Sequence, residues 1–192
     1  MEWKKYNCDG KLELKIKDGK GYIKENIYED DQLEFEGEYL NGKKWNGKVK
    51  QFLNDDRLNF EGVLINGEKN GKGKEYFYNG KIEFKGEYLN GIKNGKGKEY
   101  FNDGKLLFYG EYFNGRKWNG KGYSVDGKFE YELKEGNGYI KEYYNNEDSL
   151  KFEGEYINGE KNGRGKEYYY KGKIEYKGEY FYGIKNGKGK EY

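Results

Sequence analysis

The sequence contains no proline and no histidine, lacks alanine and threonine, and has one cysteine, Cys8, among its 192 residues. The absence of proline excludes a collagen-like chain. The absence of alanine, combined with 32 glycines, makes the chain a poor helix former. Without histidine the chain has neither an imidazole base nor a histidine ligand for zinc. A single cysteine excludes an internal disulfide and is typical of a reducing compartment.

Long apolar runs are also missing, and none approaches the ~20 residues that a membrane-spanning helix needs. The first residues, MEWKKYNCDG, lack the hydrophobic segment of a secretory signal. Neither sign of charge dominates, since the chain has 37 Lys and Arg and 35 Asp and Glu. We therefore expect a cytoplasmic protein, and leave open a peripheral association with a membrane or the cytoskeleton.

The chain is rich in charged and aromatic residues. Charged residues make up 38% of the chain, which alone would favour disorder, but 23 Tyr, 11 Phe and 3 Trp indicate packed structure. These aromatic residues recur in a motif, an aromatic residue followed by x-Gly-Glu-Tyr, about every 24 residues. The motif begins at Phe35, Phe84, Phe108, Phe152 and Tyr176, and Phe60 begins a version with leucine in place of the tyrosine.

Two degenerate units, near residues 12 and 129, resemble each other at an offset of 117 residues. With them, eight units begin near residues 12, 35, 60, 84, 108, 129, 152 and 176, and the segment before residue 12 is the tail of another unit. The spacing predicts one continuous repeat array over residues 1–192.

Each unit has the pattern of a β-hairpin. Apolar and charged residues alternate with a period of two, as in Ile82–Tyr88, and Asn-Gly pairs favour tight turns. In the regular units we expect a six-residue turn, such as Asn90–Gly95, and in the degenerate units a two-residue turn, as at Asp18-Gly19. A single hairpin cannot bury its apolar face, so the units must stack side by side, with Phe over Phe, Gly over Gly and Tyr over Tyr.

The segment Gly-Glu-Tyr-x-Asn-Gly-x-Lys-x-Gly-Lys-Gly, as at Gly86–Gly97, resembles the MORN (membrane occupation and recognition nexus) repeat. It departs from many MORN units in having Tyr rather than Trp after Gly-Glu, and in its longer second strand. The resemblance implies an all-β, single-layer, elongated antiparallel sheet of about eight stacked hairpins, with a groove. It also implies binding or scaffolding rather than catalysis, and a link to phospholipids.

Catalysis has little support in the residues themselves. Cys8 has no histidine to activate it, and the carboxylates at repeat positions, such as Glu87, are explained by charge pairing. The Gly-Lys-Gly-Lys segments, as at 95–98, lack the Ser or Thr and the helix of a phosphate-binding loop. We therefore predict no enzyme activity, no metal and no cofactor.

Lysines near the turns are the basis of a second hypothesis, binding to a membrane surface. Stacking would align them along one rim, which would attract anionic phospholipids; alternatively they are solvated turn charges balanced by nearby carboxylates. The residues in question are Lys43, Lys44, Lys69, Lys93, Lys117, Lys161 and Lys185.

Two tryptophans, Trp45 and Trp118, lie in expanded turns three units apart. Tryptophan is enriched at interfaces, so each is a candidate contact residue; the alternative is that each packs against the adjacent turn. The last strand, ending at Tyr192, lies inside a unit, so we expect the natural protein to continue, the edge to pair with another copy, or the terminal charges to blunt that edge.

Together these features predict a non-catalytic scaffold that binds a protein partner, or itself, through an aromatic-lined groove of the sheet. Peripheral binding of anionic membranes through the lysine rim is the alternative, and binding of a carbohydrate is a third possibility; we expect no nucleic acid. The candidate contact residues are Tyr39, Trp45, Tyr88, Tyr112, Trp118, Tyr156 and Tyr180.

Overall fold

The computed structural model describes residues 2–6, 12–26, 33–144 and 147–192. Cys8 lies outside these residues. Within them the chain forms antiparallel β-strands joined by turns, with no α-helix. The strands pair as stacked hairpins in open sheets, which confirms the predicted all-β fold class.

The chain divides into two compact units, Met1–Gly80 with Glu87–Ile92, and Lys81–Gly86 with Lys93–Tyr192. In the first unit each strand from β1 to β7 pairs with the next strand in the chain. These strands are β1 (Glu2–Tyr6), β2 (Leu12–Lys17), β3 (Lys20–Asn26), β4 (Leu33–Leu40), β5 (Lys43–Phe52), β6 (Leu58–Ile65) and β7 (Glu68–Tyr76).

Two strands are shared between the units: β8 (Ile82–Leu89) and β9 (Ile92–Tyr100). In the second unit β9 to β12 pair in chain order, and β13 to β17 form a five-stranded sheet, also in chain order. The strands after β9 are β10 (Leu106–Phe113), β11 (Arg116–Tyr123), β12 (Phe129–Leu133), β13 (Gly138–Tyr143), β14 (Leu150–Ile157), β15 (Glu160–Tyr168), β16 (Ile174–Phe181) and β17 (Ile184–Glu191).

The tight turns differ from the six-residue turns expected in the regular units. Strand β9 begins at Ile92, directly after Asn90-Gly91, whose φ angles are 49° and 81°. Positive φ at both central residues defines a two-residue turn that matches the twist of the flanking strands, and asparagine and glycine tolerate that conformation best. The expectation of a six-residue turn was wrong because strand pairing resumes before the second Asn-Gly.

That second Asn-Gly lies inside the strand and forms a bulge. Gly163 has a φ of 76°, and the register between β14 and β15 shifts between Gly154 and Tyr156. The degenerate hairpin β2–β3 has no such shift, since Leu14 to Lys17 pair in continuous register with Ile23 to Lys20. Regular and degenerate units therefore differ by a bulge rather than by the length of the turn.

Phenylalanine rings lie flat on glycines of neighbouring strands and form the core. A Cβ atom added to Gly97 would lie 2.7 Å from the ring of Phe84, and one added to Gly165 would lie 2.6 Å from the ring of Phe152. Where the degenerate unit replaces a glycine with Tyr131, its ring covers Gly122 and is 4% exposed. The face that carries these rings is called the ladder face below, and the opposite face of the sheet is called the outer face.

Candidate functional site

The aromatic ladder joins neighbouring hairpins through edge-to-face ring contacts. Phe84 and Tyr112 have ring centroids 5.2 Å apart, and Phe152 and Tyr180 have centroids 5.4 Å apart. In each pair the phenylalanine comes from one unit of the repeat and the tyrosine from the next. Such contacts stabilise beyond the area they bury, so the ladder holds successive hairpins together.

The structure places most of the predicted contact tyrosines inside this ladder. Tyr88, Tyr112 and Tyr180 are each 4% exposed. Tyr39 and Tyr156 are partly buried, and their hydroxyls donate hydrogen bonds to Glu25, at 2.9 Å, and to Glu142. Burial is the first cause of the raised pKa of Tyr39, followed by its bond to Glu25. A ring that is 4% exposed offers a partner very little surface.

Lysines of the second strands cover the ladder rings. The Nζ atom of Lys93 lies 4.1 Å from the centroid of Phe84, and that of Lys161 lies 4.1 Å from the centroid of Phe152. The other lysine–ring pairs of this kind are Lys44 over Phe35, Lys69 over Phe60, Lys117 over Phe108 and Lys185 over Tyr176. Their aliphatic stems cover apolar surface while the charged ends remain near water.

The same lysines form ion pairs with glutamates. Lys117 lies 2.7 Å from Glu99, Lys69 lies 3.0 Å from Glu75, and Lys185 lies 3.1 Å from Glu167. The ladder face is therefore covered by alternating positive and negative groups. The lysines of the expected rim, apart from exposed Lys43, have their charge balanced within the sheet.

In the pair of Lys117 with Glu99 the pKa of both groups is shifted. Burial alone would lower the pKa of Lys117, but the attraction and hydrogen bond of Glu99, together with further groups nearby such as Glu142, raise the pKa above its ordinary value. Burial alone would raise the pKa of Glu99, and Lys117 and Lys93 together hold it below its usual range. Both groups are therefore charged at neutral pH.

The prediction that the tryptophans lie in expanded turns is wrong, because their hairpins have a shorter bulge: two residues lie between Lys117 and Gly120, whereas three lie between Lys161 and Gly165 of a regular hairpin. The carbonyl oxygen of Trp45 accepts a hydrogen bond from the N–H of Gly67 at 2.8 Å, and that of Trp118 accepts one from Gly136 at 2.7 Å. The ring of Trp118 lies so close to Gly136 that an added Cβ would be 2.8 Å from its Cζ3 atom. Both side chains are partly buried, and Trp118 packs against the adjacent turn.

Asparagines beside the tryptophans also link successive turns, which sequence reasoning missed. The side chain of Asn119 donates to Glu111 at 3.0 Å and accepts the N–H of Glu135 at 2.8 Å. Asn46 makes the equivalent pair of bonds to Glu38 and Asn66. The Trp-Asn-Gly spacing shared by the two units is the signal that could have identified this link.

A row of exposed apolar side chains on the outer face was also missed. The residue before each tight turn follows an inward-facing side chain, so it points to the opposite face. In the second unit these residues are Phe113, Lys134, Ile157 and Phe181. The three apolar ones are 51%, 46% and 53% exposed, and we call them the apolar row, which Lys134 interrupts between Phe113 and Ile157. Trp118 extends this row, since its ring lies 5.3 Å from that of Phe113.

The first unit repeats the arrangement with Ile65 and Leu89, which are 46% and 51% exposed. Hydrogen bonds between successive turns, such as Gly91 N–H to Lys69 O at 2.9 Å, keep the positions aligned. The signal was present in the sequence, because an apolar residue precedes each Asn-Gly of these turns.

Other kinds of site find no support among the described residues. No group of three or more cysteine, aspartate or glutamate side chains within residues 2–6, 12–26, 33–144 and 147–192 is placed to hold a metal ion. In the same ranges there is no helix with the length and hydropathy needed to cross a membrane. Ser124 bonds within its own turn, to Asp126 and Lys128.

Fold and surface together define a β-hairpin repeat protein whose regular features are packing and charge pairing. The family model for the MORN repeat matches residues 60–82, 84–105, 152–174 and 176–192. The chain therefore contains MORN repeats, as its sequence pattern indicated. The four matched stretches are those in which Lys-Asn-Gly follows the tight turn without an intervening tryptophan.

MORN repeats are generally associated with interactions with proteins or membranes, and MORN repeat proteins are generally non-catalytic scaffolds. No curated protein matches the chain.

Proposed function

We propose that this protein is a non-catalytic scaffold that binds a protein partner through the apolar row on its outer face. The observation that carries the proposal is the row itself, in which Phe113, Ile157 and Phe181 are each about half exposed at repeating positions. Aligned apolar side chains at the surface of a charged protein mark interaction sites more often than scattered ones do.

In this proposal the predicted contact residues divide into two groups. Tyr88, Tyr112 and Tyr180 hold the hairpins in register from the ladder face, where each is 4% exposed. Trp118 lies against Phe113 and extends the binding surface, and Trp45 occupies the equivalent position in the first unit. Tryptophan and phenylalanine are typical anchors of protein interfaces.

The membrane alternative receives less support from the lysine positions. An anionic surface is attracted by unbalanced positive charge, whereas Lys69, Lys117 and Lys185 lie within 3.1 Å of glutamates. Sedimentation with vesicles of phosphatidylserine at low and high salt measures this alternative directly.

The proposal is tested by affinity capture with the double variant Phe113→Ser/Ile157→Ser. Its matched control is Phe129→Ser, which changes a 59% exposed phenylalanine at the opposite end of a strand. We expect the wild-type chain and the control to retain the same partner protein, and the double variant to lose it, while all three unfold at similar temperatures.

Two results would count against the proposal. One is a captured protein that the double variant retains as well as the wild type does. The other is a wild-type chain that sediments as a dimer and becomes monomeric in the double variant, because the row would then bind a second copy instead.

A further inference from the structure

A cleft on the outer face of the second unit brings together three lysines from neighbouring strands. Lys166 of β15 lies directly opposite Lys177 of β16, and Lys177 lies directly opposite Lys190 of β17. The cleft has a volume of about 470 Å³, and the backbone of Gly165, Gly178 and Gly189 forms its floor. At ~4.8 Å between strands, the row of three lysines spans roughly 10 Å.

In three other strands, β4, β6 and β14, a glutamate lies between lysines at this position, whereas β8 carries Lys85 there and β10 carries Tyr109. Glu61 lies between Lys50 and Lys74 in register, and is 2.5 Å from the Nζ atom of Lys74. Glu153 lies between Lys141 and Lys166, and is 2.7 Å from Lys166. Lys177 occupies the equivalent position in the last hairpin, so a Lys–Lys–Lys row replaces Lys–Glu–Lys.

Like charges directly opposite each other destabilise a sheet. Lys166 keeps Glu153 on its other side. Lys177 and Lys190 have no carboxylate within ion-pair distance in the part of the chain that the structure describes. The row therefore lacks the glutamate that β4, β6 and β14 place between their neighbouring lysines.

The neighbouring residues add cations and aromatic walls. Arg164 and Lys188 line the same cleft, and Glu179 lies between them. The carboxylate of Glu179 accepts a hydrogen bond from the backbone N–H of Lys188 at 3.2 Å. Tyr139 and Tyr192 close its two ends and are 50% and 59% exposed. Five cations therefore face one carboxylate across a surface with exposed rings at either end.

We infer that this cleft binds an acidic, extended segment of a protein partner, whose carboxylates take the place that glutamate holds between lysines elsewhere in the sheet. This inference rests on the proposed protein-binding function and names the chemistry of the partner. Alternate side chains of an extended segment lie ~6.8 Å apart, so two glutamates separated by one residue reach both gaps in the lysine row. The tyrosines pack against the residues on either side.

The experiment measures the affinity of the full chain for a fluorescein-labelled Gly-Glu-Gly-Glu-Gly-Glu-Gly peptide by fluorescence anisotropy. We expect binding that weakens as salt rises, because exposed charges are screened. The same peptide with glutamine in place of glutamate should bind at least tenfold more weakly. Equal affinity for the two peptides, or no binding of the acidic one, overturns the inference.

The decisive variant is Lys177→Glu, which recreates the Lys–Glu–Lys row. We expect this variant to bind the acidic peptide at least tenfold more weakly. Its unfolding temperature should not fall, since the new glutamate adds a favourable cross-strand pair. Lys171→Glu changes the same charge on an exposed turn outside the cleft, and should bind within twofold of the wild type. If Lys177→Glu does not fold, Lys177→Gln serves the same comparison.

A second matched pair tests the aromatic wall. Tyr139 and Tyr22 occupy equivalent positions 117 residues apart, and each lies opposite a glutamate, Glu155 or Glu38. Tyr139→Ala should lower the affinity for the acidic peptide several-fold, whereas Tyr22→Ala should leave that affinity unchanged. Equal effects of the two variants would place the peptide outside the cleft.

Competition experiments separate this occupant from others. The competitors are a ten-residue oligothymidylate and vesicles of phosphatidylserine. If either binds more tightly than the peptide and displaces it, the assignment to a protein segment is overturned. If a partner is captured through the apolar row and Lys177→Glu does not change its capture, the inference about the cleft is wrong. The proposed function through the apolar row would still hold.

Discussion

Two phenylalanines of one strand differ sharply in their exposure to solvent. In β10, Phe108 is fully buried on the ladder face, whereas Phe113 is 51% exposed on the outer face. Phe108 contacts the rings of Tyr112 and Tyr131 and lies beneath Lys117. The sheet thus builds its core from two rings on the first strand of a hairpin, as Phe108 and Tyr112 show, with lysine stems as the cover.

This difference gives the first prediction. We expect Phe108→Ala to lower the free energy of unfolding by about 3–5 kcal/mol, because it removes a buried ring and leaves a cavity among packed neighbours. Phe113→Ala, in the same strand, should lower it by less than about 1 kcal/mol, since the ring is already half in water. Urea unfolding followed by tryptophan fluorescence measures both values, and similar losses would contradict the described packing.

At the scale of the element, the hairpin turn is the most regular feature. Asn41, Asn66, Asn90, Asn114 and Asn158 all have φ between 48° and 54° before a glycine. In the last hairpin Tyr182 takes this place with a φ of 48° and is 62% exposed. A bulky residue in the left-handed region is strained by roughly 1 kcal/mol or more, so the turn at Tyr182 is less favourable than the others.

The corresponding prediction concerns turn strain. Tyr182→Asn should raise the free energy of unfolding by about 1 kcal/mol, since asparagine tolerates positive φ better than tyrosine. Asn90→Tyr, at the equivalent turn, should lower it by a similar amount. Thermal unfolding of the two variants provides the comparison. A loss of stability in Tyr182→Asn would show that the contact between Phe181 and Tyr182, whose centroids are 4.3 Å apart, outweighs the strain.

For the whole molecule, charge pairing without histidine sets the response to pH. The pKa of several glutamates is held low despite partial burial, because lysines lie beside them. Burial opposes the charge of Lys117, but its pKa is raised because Glu99 and further groups nearby together exceed the effect of burial. No side chain with an ordinary pKa near neutrality is present, because the chain has no histidine.

The pH prediction follows from these directions. A lowered glutamate pKa contributes stability that is present above its unfolded value, about 4.3, and is lost as pH falls through the folded pKa. A raised lysine pKa contributes stability that is present below about 10.4 and is lost as pH rises through the folded pKa. We therefore expect the unfolding temperature to be nearly constant between about pH 6 and pH 9, and to fall on both sides.

Glu99→Gln is the control for that profile. It should lower stability at neutral pH, because Lys117 loses its partner, and should reduce the loss on the acid side. A step in the unfolding temperature near pH 6 to 7, in either chain, would show that a group other than these pairs controls the response.

Much of the fold follows from the sequence alone. Period-two alternation fixed which residues share a face, and the recurring Asn-Gly pairs located the turns. Regular spacing predicted stacked hairpins. These features are local, because strand pleat and turn conformation depend on residues close in the chain.

Only the tertiary structure decided which aromatic residues are available to a partner. Tyr112 and Phe113 are neighbours with similar rings, yet one is 4% exposed and the other 51%. Lys117 belongs to a turn segment that suggests a solvated charge, but its stem covers Phe108 and its charge pairs with Glu99. These outcomes depend on the strand that lies alongside, since glycines in register let rings lie flat and lysines fold over them. The repeat pattern in the sequence determined the faces of the sheet, and packing between strands decided which face remained exposed.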